Sequence, residues 1–358
     1  MSLTLTVDGD RWRAHLKEVA GAHPGLVPVA KGNGYGFGLG RLARKAQWLK
    51  DQGLDCETLA VGTYDELGEV AQRYDGDLLV LTPWRPFVAD PDPALADRLV
   101  HTIGRLDDLE ALLERQPDAA IVLERMTSMM RHGFSARDLR TATERLGAHP
   151  GARLRGVALH LPLETGSHLS EVQRLLNDVV AAGLTEQPGG NHLWVSHLTG
   201  TEQAQLRASY ADFTLHPRIG TGLWLGDRSA LRVCATVLDS HPVERGEAFG
   251  YRGRSAPKAG HILVVSGGTA HGIGLEAPMG ESSIKARAAT FARGGLDAVG
   301  FVRSPYLIDG KQRLFAEPPH MQASMLFLPS GARVPEVGEQ IEVRVRFTAT
   351  DVDHVVVS

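Results

Sequence analysis

Short apolar runs alternate with amphipathic segments along the first two-thirds of the chain, and this alternation constrains the fold more than any other feature. Eight runs have the composition of strands: residues 26–31, 58–62, 78–83, 99–104, 119–124, 154–161, 192–198 and 212–220. Between them, segments such as 105–115, 135–146 and 168–183 repeat apolar residues at the three- and four-residue spacing of helices. The alternation predicts an α/β fold, a (β/α)8 barrel. A doubly wound open sheet is the alternative, because periodicity does not distinguish the two. In both folds ligands bind at the carboxyl ends of the strands.

The pattern changes after about Gly226. The runs become short and β-branched, separated by Gly, Pro and Asp, with almost no helical periodicity: 231–243, 261–267, 298–304, 325–329 and 341–357. This predicts an all-β C-terminal domain. We place the domains at 1–228 for the barrel and 229–358 for the β-rich part.

Composition excludes several classes of protein. The net charge of −4 gives no basic surface for nucleic acid or anionic lipid. No apolar run reaches the ~20 residues that span a bilayer, and the N-terminus does not have the pattern of a signal peptide. Two cysteines are too few for a disulfide framework or a cysteine-rich metal site. We therefore expect a cytoplasmic protein with no membrane or nucleic-acid partner and no metal.

The glycine-rich segment 30–40, AKGNGYGFGLG, follows the first predicted strand. Its glycines do not fit the G-x-G-x-x-G spacing of dinucleotide-binding turns. Lys31 stands at the end of the strand and Tyr35 follows four residues later. A lysine in such a position forms imines when burial or nearby cations lower its pKa. The structural alternative is a surface lysine that leaves a strand.

Other polar side chains end further predicted strands or the loops after them. These are Arg131, His160, Ser196 and Arg218, the last followed by a turn at 220–222. Backbone N–H groups of such a turn bind phosphate in many proteins. Each residue alone is explained as a solvated or packed side chain. Their occurrence at matching strand ends favours one binding site.

These segments resemble the alanine racemases and their fold-type III pyridoxal-phosphate relatives. The lysine motif of that family, K-A-N/D-A-Y-G-H-G, is K-G-N-G-Y-G-F-G here, and its T-G-M-x-R-x-G-F is T-S-M-M-R-H-G-F. The segment R-P-G-I-x-L-Y-G corresponds to R-I-G-T-G-L-W-L-G. In the second domain, GEAFGYRG and SPYLIDGKQRLFAEPPHMQ continue the resemblance.

The resemblance implies roles for the residues that match these motifs. Lys31 would hold pyridoxal 5′-phosphate as a Schiff base, and Tyr35 would contact its phosphate. Arg131 would lie near the cofactor phenolate oxygen and the substrate carboxylate, and His160 would pack on the pyridine ring. Ser196 would bind the phosphate.

The resemblance also implies a ring partner and a dimer. Arg218 would face the pyridine nitrogen, and Gly220 and Thr221 would offer backbone amides to the phosphate. A guanidinium cannot protonate that nitrogen, so simple proton removal and return at Cα is favoured over decarboxylation or β-chemistry. Met321 would bind substrate carboxylate through its backbone amide across a head-to-tail homodimer.

The chain departs from the family where the second proton-transfer group is expected. The family's G-Y-A-D-G is G-T-A-H-G here, so Thr269 replaces a tyrosine, and a threonine hydroxyl is too weak an acid for this role. His271 is the candidate second base, on a strand and on the same face as Thr269; Tyr306 is a more remote candidate. A further departure is Glu124, at a position where the family often has a lysine that can be carbamylated.

We therefore expect a pyridoxal-phosphate-dependent amino-acid racemase with an altered second base, whose small-molecule substrate is an amino acid. Two alternatives stay open. One is a non-racemising enzyme of the same fold, and the other is a cofactor-binding or regulatory paralogue that has lost turnover.

Overall fold

The computed structural model describes residues 2–163, 167–275 and 302–358. The chain divides into two compact units. The barrel unit comprises Arg13–Gly34 and Gly38–Gly226. The second unit, called the β unit below, comprises Met1–Trp12, Tyr35–Phe37 and Asp227–Ser358. The N-terminal residues thus group with the C-terminal ones, which the periodicity of the sequence did not indicate.

The chain starts with strand β1 (Leu3–Val7) and helix α1 (Gly9–Ala22). Eight parallel strands then form a closed barrel: β2 (Val27–Ala30), β3 (Thr58–Val61), β4 (Asp77–Val80), β5 (Leu99–Ile103), β6 (Ala120–Arg125), β7 (Arg153–Leu159), β8 (His192–Ser196) and β9 (Thr214–Ile219). Pairing of β2 with β9 closes the barrel, Val27 opposite Arg218. The predicted (β/α)8 barrel is confirmed, and all eight predicted strands belong to it. The open sheet is wrong, because an open sheet has two unpaired edges.

Helices connect the barrel strands: α2 (Leu39–Asp51), α3 (Leu67–Ala71), α4 (Leu106–Arg115), α5 (Ala136–Gly147), α6 (Leu169–Ala181), α7 (Gly200–Ser209) and α8 (Thr221–Trp224). The predicted helices at 105–115, 135–146 and 168–183 correspond to α4, α5 and α6. The connection from β4 to β5 contains one 3-10 turn, Pro93–Leu95, instead of an α-helix. Helix α5 begins after Ser135, whose hydroxyl accepts the N–H of Asp138.

Two apolar layers stabilise the barrel, one inside the ring of strands and one between strands and helices. On β6, Ala120 and Val122 belong to the first layer, while Ile121 and Leu123 belong to the second. Side chains alternate in this way because successive residues of a strand point to opposite faces. The packed interior leaves ligands to the strand ends.

Besides β1, the described part of the β unit contains β10 (Leu231–Val243), β13 (Gly260–Ser266), β14 (Arg303–Ile308), β15 (Lys311–Phe315), β16 (Ala323–Pro329), β17 (Gln340–Val343) and β18 (His354–Val357). These eight strands form one sheet in the order β13-β16-β15-β14-β17-β10-β1-β18. Strands β11 (Ala248–Phe249) and β12 (Arg254–Ser255) form a small hairpin. The predicted all-β C-terminal region is confirmed, and the part of the predicted run 298–304 before residue 302 lies outside the described residues.

Among the described residues, no helix is both long and apolar enough to cross a bilayer. The same residues contain no group of three or more His, Cys, Asp or Glu side chains arranged to hold a metal ion.

Candidate active site

A cavity of about 180 Å³ opens at the carboxyl ends of the barrel strands. Its lining residues are Lys31, Gly62, Leu81, Thr82, Glu124, Arg131, His132, His160 and Arg218. Four of the candidate binding residues predicted from the sequence, Lys31, Arg131, His160 and Arg218, thus line one cavity, although they are far apart along the chain. These residues converge because the carboxyl ends of parallel strands meet at one rim of the barrel.

Glu66 fixes the loop that carries Lys31. Lys31 is the first residue after β2, and the Oε1 atom of Glu66 accepts the N–H of Gly32 at 2.8 Å. The Oε2 atom accepts the N–H of Gly62, at the end of β3, at 2.6 Å. One carboxylate therefore joins the ends of two neighbouring strands beside the lysine.

Sequence reasoning missed Glu66, although a signal was present. Thr63 and Glu66 form a capping box, with Glu66 Oε2 also accepting the N–H of Thr63 at 3.3 Å. The T-x-x-E spacing that marks a capping box can be read from the sequence. What the spacing does not show is that the same carboxylate also reaches the loop of Lys31.

The surroundings of Lys31 favour an amine that can lose its proton. Burial lowers the pKa of Lys31, and the guanidinium groups of Arg131 and Arg218 lower it further, while Glu66 opposes them. A lysine with a lowered pKa has more of the neutral amine needed to attack an aldehyde. The lysine therefore has the electrostatic surroundings expected of an imine-forming nucleophile.

Arg131 lies in a loop that is tied back onto the end of β6. Phe134 donates its N–H to Glu124 O at 2.7 Å, and Met126 donates its N–H to Phe134 O at 3.0 Å. Gly133 has a φ of 123°, and a Cβ there would lie 2.5 Å from Met126 N. Only glycine fits this close approach, so Gly133 fixes the loop in which the exposed Arg131 reaches the cavity.

Glu124 and Arg218 place opposite charges in the buried wall of the cavity. Arg218 donates from Nη2 to Leu159 O at 3.0 Å. Burial lowers its pKa to about 10, so the guanidinium remains protonated at neutral pH. Burial also raises the pKa of Glu124, against the attraction of Arg218 and Arg131. Arg218 Nε and Glu124 Oε2 are buried and meet no hydrogen-bond partner among the described residues.

His160 and Ser196 form a polar pair at the ends of β7 and β8. Ser196 Oγ lies 3.1 Å from His160 Nδ1. Burial, followed by the charges of Arg218 and Arg131, lowers the pKa of His160 to about 3, so the ring is neutral at physiological pH. His197 comes next and adopts a left-handed backbone with φ 62°, which is uncommon for a residue with a side chain.

The turn after β9 holds Gly220 and Thr221 directly beyond Arg218. Helix α8 starts at Thr221, with Gly220 as its N-cap. Helix-start N–H groups have no partner within their own helix, so they are available to a ligand. Their phosphate contact stays a prediction.

Two expected contacts to ligand fall in the β unit. Tyr35 is buried in a left-handed conformation with φ 55°. Met321 is exposed, and its carbonyl oxygen accepts the N–H of Ala270 at 2.9 Å. The proposed roles of both residues stay predictions.

The candidates for the second base have different surroundings from those expected. Residues 269–271 form a 3-10 turn after β13, so the prediction that Thr269 and His271 share a strand face is wrong. His271 Nδ1 accepts the N–H of Gly268 at 3.2 Å, and Nε2 lies 3.1 Å from Asp353 Oδ1. Because both ring nitrogens are occupied, these bonds weigh against proton transfer by His271, whose catalytic role stays a prediction.

Tyr306 is a core residue of the β unit. Its hydroxyl lies 2.7 Å from Gly267 O and 2.9 Å from Ser266 O. Burial raises the pKa of this phenol. A fully buried hydroxyl that donates to backbone carbonyls has a structural role, which removes Tyr306 as an acid/base candidate.

Comparison with known proteins adds independent findings. The sequence model of the family described as "Alanine racemase, N-terminal domain" matches residues 7–227. The alanine racemase of Nitratidesulfovibrio vulgaris is 29% identical over 268 residues, which are 69% of this chain and 69% of that protein. The alanine racemase of Mycobacterium bovis is 28% identical over 278 residues, covering 72% of this chain and 70% of that protein.

Solved structures share the fold along nearly the whole chain. An alanine racemase from Bartonella henselae with covalently bound pyridoxal phosphate superposes with a TM-score of 0.69 at 16% identity, covering 98% of each chain. A histidine racemase from Leuconostoc mesenteroides gives a TM-score of 0.68 at 18% identity, covering 99% of this chain and 98% of that one. At such identities the likeness concerns the fold.

Proposed function

Because the chain belongs to the alanine racemase family, we propose that it is a pyridoxal-5′-phosphate-dependent racemase of an α-amino acid. The observation that carries the proposal is the position of Lys31, which lines a cavity with Arg131, His160 and Arg218. A lysine with a lowered pKa among fixed cations suits a ligand that has both an aldehyde and a phosphate.

The cavity fits the cofactor by its donor set and by its unpaired atoms. Arg131, Arg218 and the amine of Lys31 outnumber the single carboxylate in the cavity wall, Glu124, so an anion is favoured. Buried Arg218 Nε meets no partner among the described residues. A buried polar atom without a partner costs free energy, which a bound ligand group recovers.

Each part of the cofactor would be bound by different residues. Lys31 would bond to the cofactor, and Ser196, Tyr35, Gly220 and Thr221 would hold its phosphate. Arg218 would pair with its ring nitrogen and His160 would pack on the ring. When bound, the cofactor withdraws electrons from the substrate and so weakens the Cα–H bond.

The chain's own groups then direct the reaction. Arg131, at the cavity mouth, binds the substrate carboxylate and orients Cα. Lys31 accepts or returns the Cα proton on one face, aided by the low pKa that its neighbours impose. Arg218 stays protonated, which favours proton exchange over decarboxylation. Inversion needs a second proton-transfer group on the opposite face.

We also propose that the protein is a cytoplasmic, head-to-tail homodimer in which the β unit of one copy completes the site of the other. The exposure of Met321 supports this arrangement, since 72% of the residue is accessible in the single chain. Light scattering should give twice the 38.6 kDa mass of the chain. A monomer at micromolar concentration would contradict the dimer.

A panel of amino acids in heavy water tests the activity. The protein loaded with pyridoxal 5′-phosphate should exchange the Cα proton of at least one amino acid, seen by NMR, and invert it, seen by chiral chromatography. Lys31→Ala should abolish both, together with the visible absorbance of the lysine-bound cofactor. Lys311→Ala, at an exposed lysine of β15, is the control and should change neither.

The second candidate is a one-base enzyme that binds the cofactor and exchanges the Cα proton without inversion. A related candidate is a cofactor-binding protein that has lost turnover. Occupied ring nitrogens at His271 and the threonine at 269 favour both. Exchange without inversion would establish the one-base enzyme. A loaded wild-type protein without any exchange would contradict both enzymatic candidates.

A further inference from the structure

The β unit contains a histidine oriented by a buried carboxylate. His320 Nε2 lies 2.7 Å from Glu317 Oε1, with the Glu317 side chain 3% exposed and that of His320 33% exposed. A carboxylate accepts hydrogen bonds, so Nε2 must be the donor, and Nδ1 of the neutral ring then carries the free lone pair. In the described parts of the chain, no hydrogen-bond partner faces Nδ1.

The other oxygen of Glu317 fixes a tyrosine beside this pair. Glu317 Oε2 accepts the N–H of Tyr251 at 3.0 Å. The ring of Tyr251 lies 4.9 Å from that of His320 and is tilted by 60°. Gly250, with φ 71°, has no space for a Cβ because Glu317 Oε2 occupies that position. The carboxylate therefore has two fixed partners, and Tyr251 is 88% exposed in front of the imidazole.

The cluster adjoins the turn where the resembled family has its acid/base tyrosine. Thr269 donates its N–H to His320 O at 2.8 Å, and Ala270 donates to Met321 O at 2.9 Å. His320 is therefore directly hydrogen-bonded through its backbone to the position that lost the tyrosine. It also precedes Met321, whose backbone is expected at the substrate carboxylate.

His320 and His271 differ in the nitrogen that remains available. Both contact a carboxylate through Nε2. Nδ1 of His271 accepts a backbone N–H at 3.2 Å, whereas Nδ1 of His320 is left with its lone pair. An imidazole held in one tautomer by a carboxylate, with the other nitrogen accessible, is the arrangement used for general base catalysis.

We propose that His320 is the second proton-transfer group and that Glu317 is its positioning residue. This inference rests on the proposed function. In the proposed homodimer, where the β unit of one copy completes the site of the other, the Cα–H bond breaks in one direction and the proton moves to Nδ1 of His320 in the second copy, while the electron pair stays at Cα. The protonated amine of Lys31 then delivers a proton to the opposite face. The reverse direction exchanges the two roles, and nothing is oxidised or reduced.

Variants of His320 test the catalytic role. His320→Asn and His320→Gln should lower the rate of inversion at least 100-fold, the low end of general acid/base contributions. Cα exchange of one enantiomer through Lys31 should persist. His241→Asn is the matched control, because His241 forms an exposed imidazole–carboxylate pair with Asp239 at 3.3 Å. Unchanged inversion in folded His320 variants would overturn the proposal, as would loss of inversion in Tyr251→Phe alone.

A measurement independent of turnover separates this proposal from the proposed function. Nitrogen-15 NMR of the full chain should show His320 with its proton on Nε2 in the wild type. Glu317→Gln should weaken that preference, because a neutral amide oxygen is a weaker hydrogen-bond acceptor than a carboxylate. A proton on Nδ1 in the wild type would overturn the role of His320. A wild type without any Cα exchange would contradict the proposed function instead.

Discussion

Gly62 leaves the space that the side chain of Lys31 occupies: a Cβ added at Gly62 would lie 3.0 Å from the Cβ of Lys31. The two residues follow adjacent barrel strands, β3 and β2. Glu66 holds the N–H groups of Gly62 and Gly32 with its two oxygens. The size of residue 62 thus controls the path of the lysine into the cavity.

We expect Gly62→Ala to reduce cofactor loading about tenfold, equivalent to about 1.4 kcal/mol. The added methyl group displaces Lys31 by a few tenths of an ångström, and it also crowds the carboxylate of Glu66. Titration of the apoprotein with pyridoxal 5′-phosphate, followed by visible absorbance, measures the change. Gly68→Ala in α3 is the control, because an added Cβ there meets nothing within 4 Å. Equal loading of both variants would refute the steric argument.

Gly133→Ala should destabilise the loop of Arg131. A Cβ at this position meets Met126 N at 2.5 Å, and the φ of 123° is unfavourable for alanine. We expect a loss of about 1–3 kcal/mol in the free energy of unfolding, measured with urea. Gly200→Ala has open space at its Cβ and should change stability by less than about 0.5 kcal/mol. A Gly133 variant as stable as wild type would show that the loop adapts.

The left-handed backbone of His197 should carry a measurable strain. His197→Gly is expected to raise the free energy of unfolding by up to about 1 kcal/mol, because glycine adopts a φ of 62° without steric cost. His197→Ala keeps the Cβ and should show no such gain. If both variants gain equally, the imidazole rather than the backbone is the source of strain. Urea titrations of the three proteins at one pH make the comparison.

Two stacked histidines at the opposite end of the barrel should make the fold sensitive to acid. His192 Nδ1 lies 2.7 Å from His216 Nε2, and His216 stacks on Trp194 with ring centroids 4.4 Å apart. Burial, with a contribution from His192, lowers the pKa of His216 to about 4. A close pair of this kind needs at least one neutral ring.

Acid lowers the stability of the fold because the pKa of His216 is lower in the folded protein than in the unfolded chain. As the pH falls, the unfolded chain binds a proton near pH 6.5, before folded His216 does, so stability is complete above that pH and declines towards pH 4. The loss amounts to about 3 kcal/mol at most. His216→Phe should flatten the dependence by about one proton in urea titrations between pH 7 and pH 4.5. His241→Phe is the exposed control, and an equal slope in all three proteins would refute the assignment.

The sequence was sufficient to predict the barrel, because each barrel strand is apolar along its length and begins or ends at turn residues. The sequence was also sufficient to predict that Lys31, Arg131, His160 and Arg218 lie together. Residues at parallel strand ends converge whatever their separation in the chain. The sequence was insufficient for long-range polar contacts. Nothing in the spacing of Glu317 and His320 distinguishes an oriented imidazole from a surface histidine, and the 3-10 turn at 269–271 depends on backbone bonds to the distant segment 320–321.

Strand β1 pairs antiparallel with β10, Leu3 opposite Ala235, and parallel with β18, Thr4 opposite His354. During synthesis this strand leaves the ribosome before the barrel, and both of its neighbours are made more than two hundred residues later. The barrel between them can complete its own hydrogen bonds while β1 still presents unpaired amides. Nascent chains should therefore pass through a stage in which the barrel is folded and β1 is still unpaired. At this stage the exposed edges of β1 are most accessible to a chaperone or to an aggregation partner.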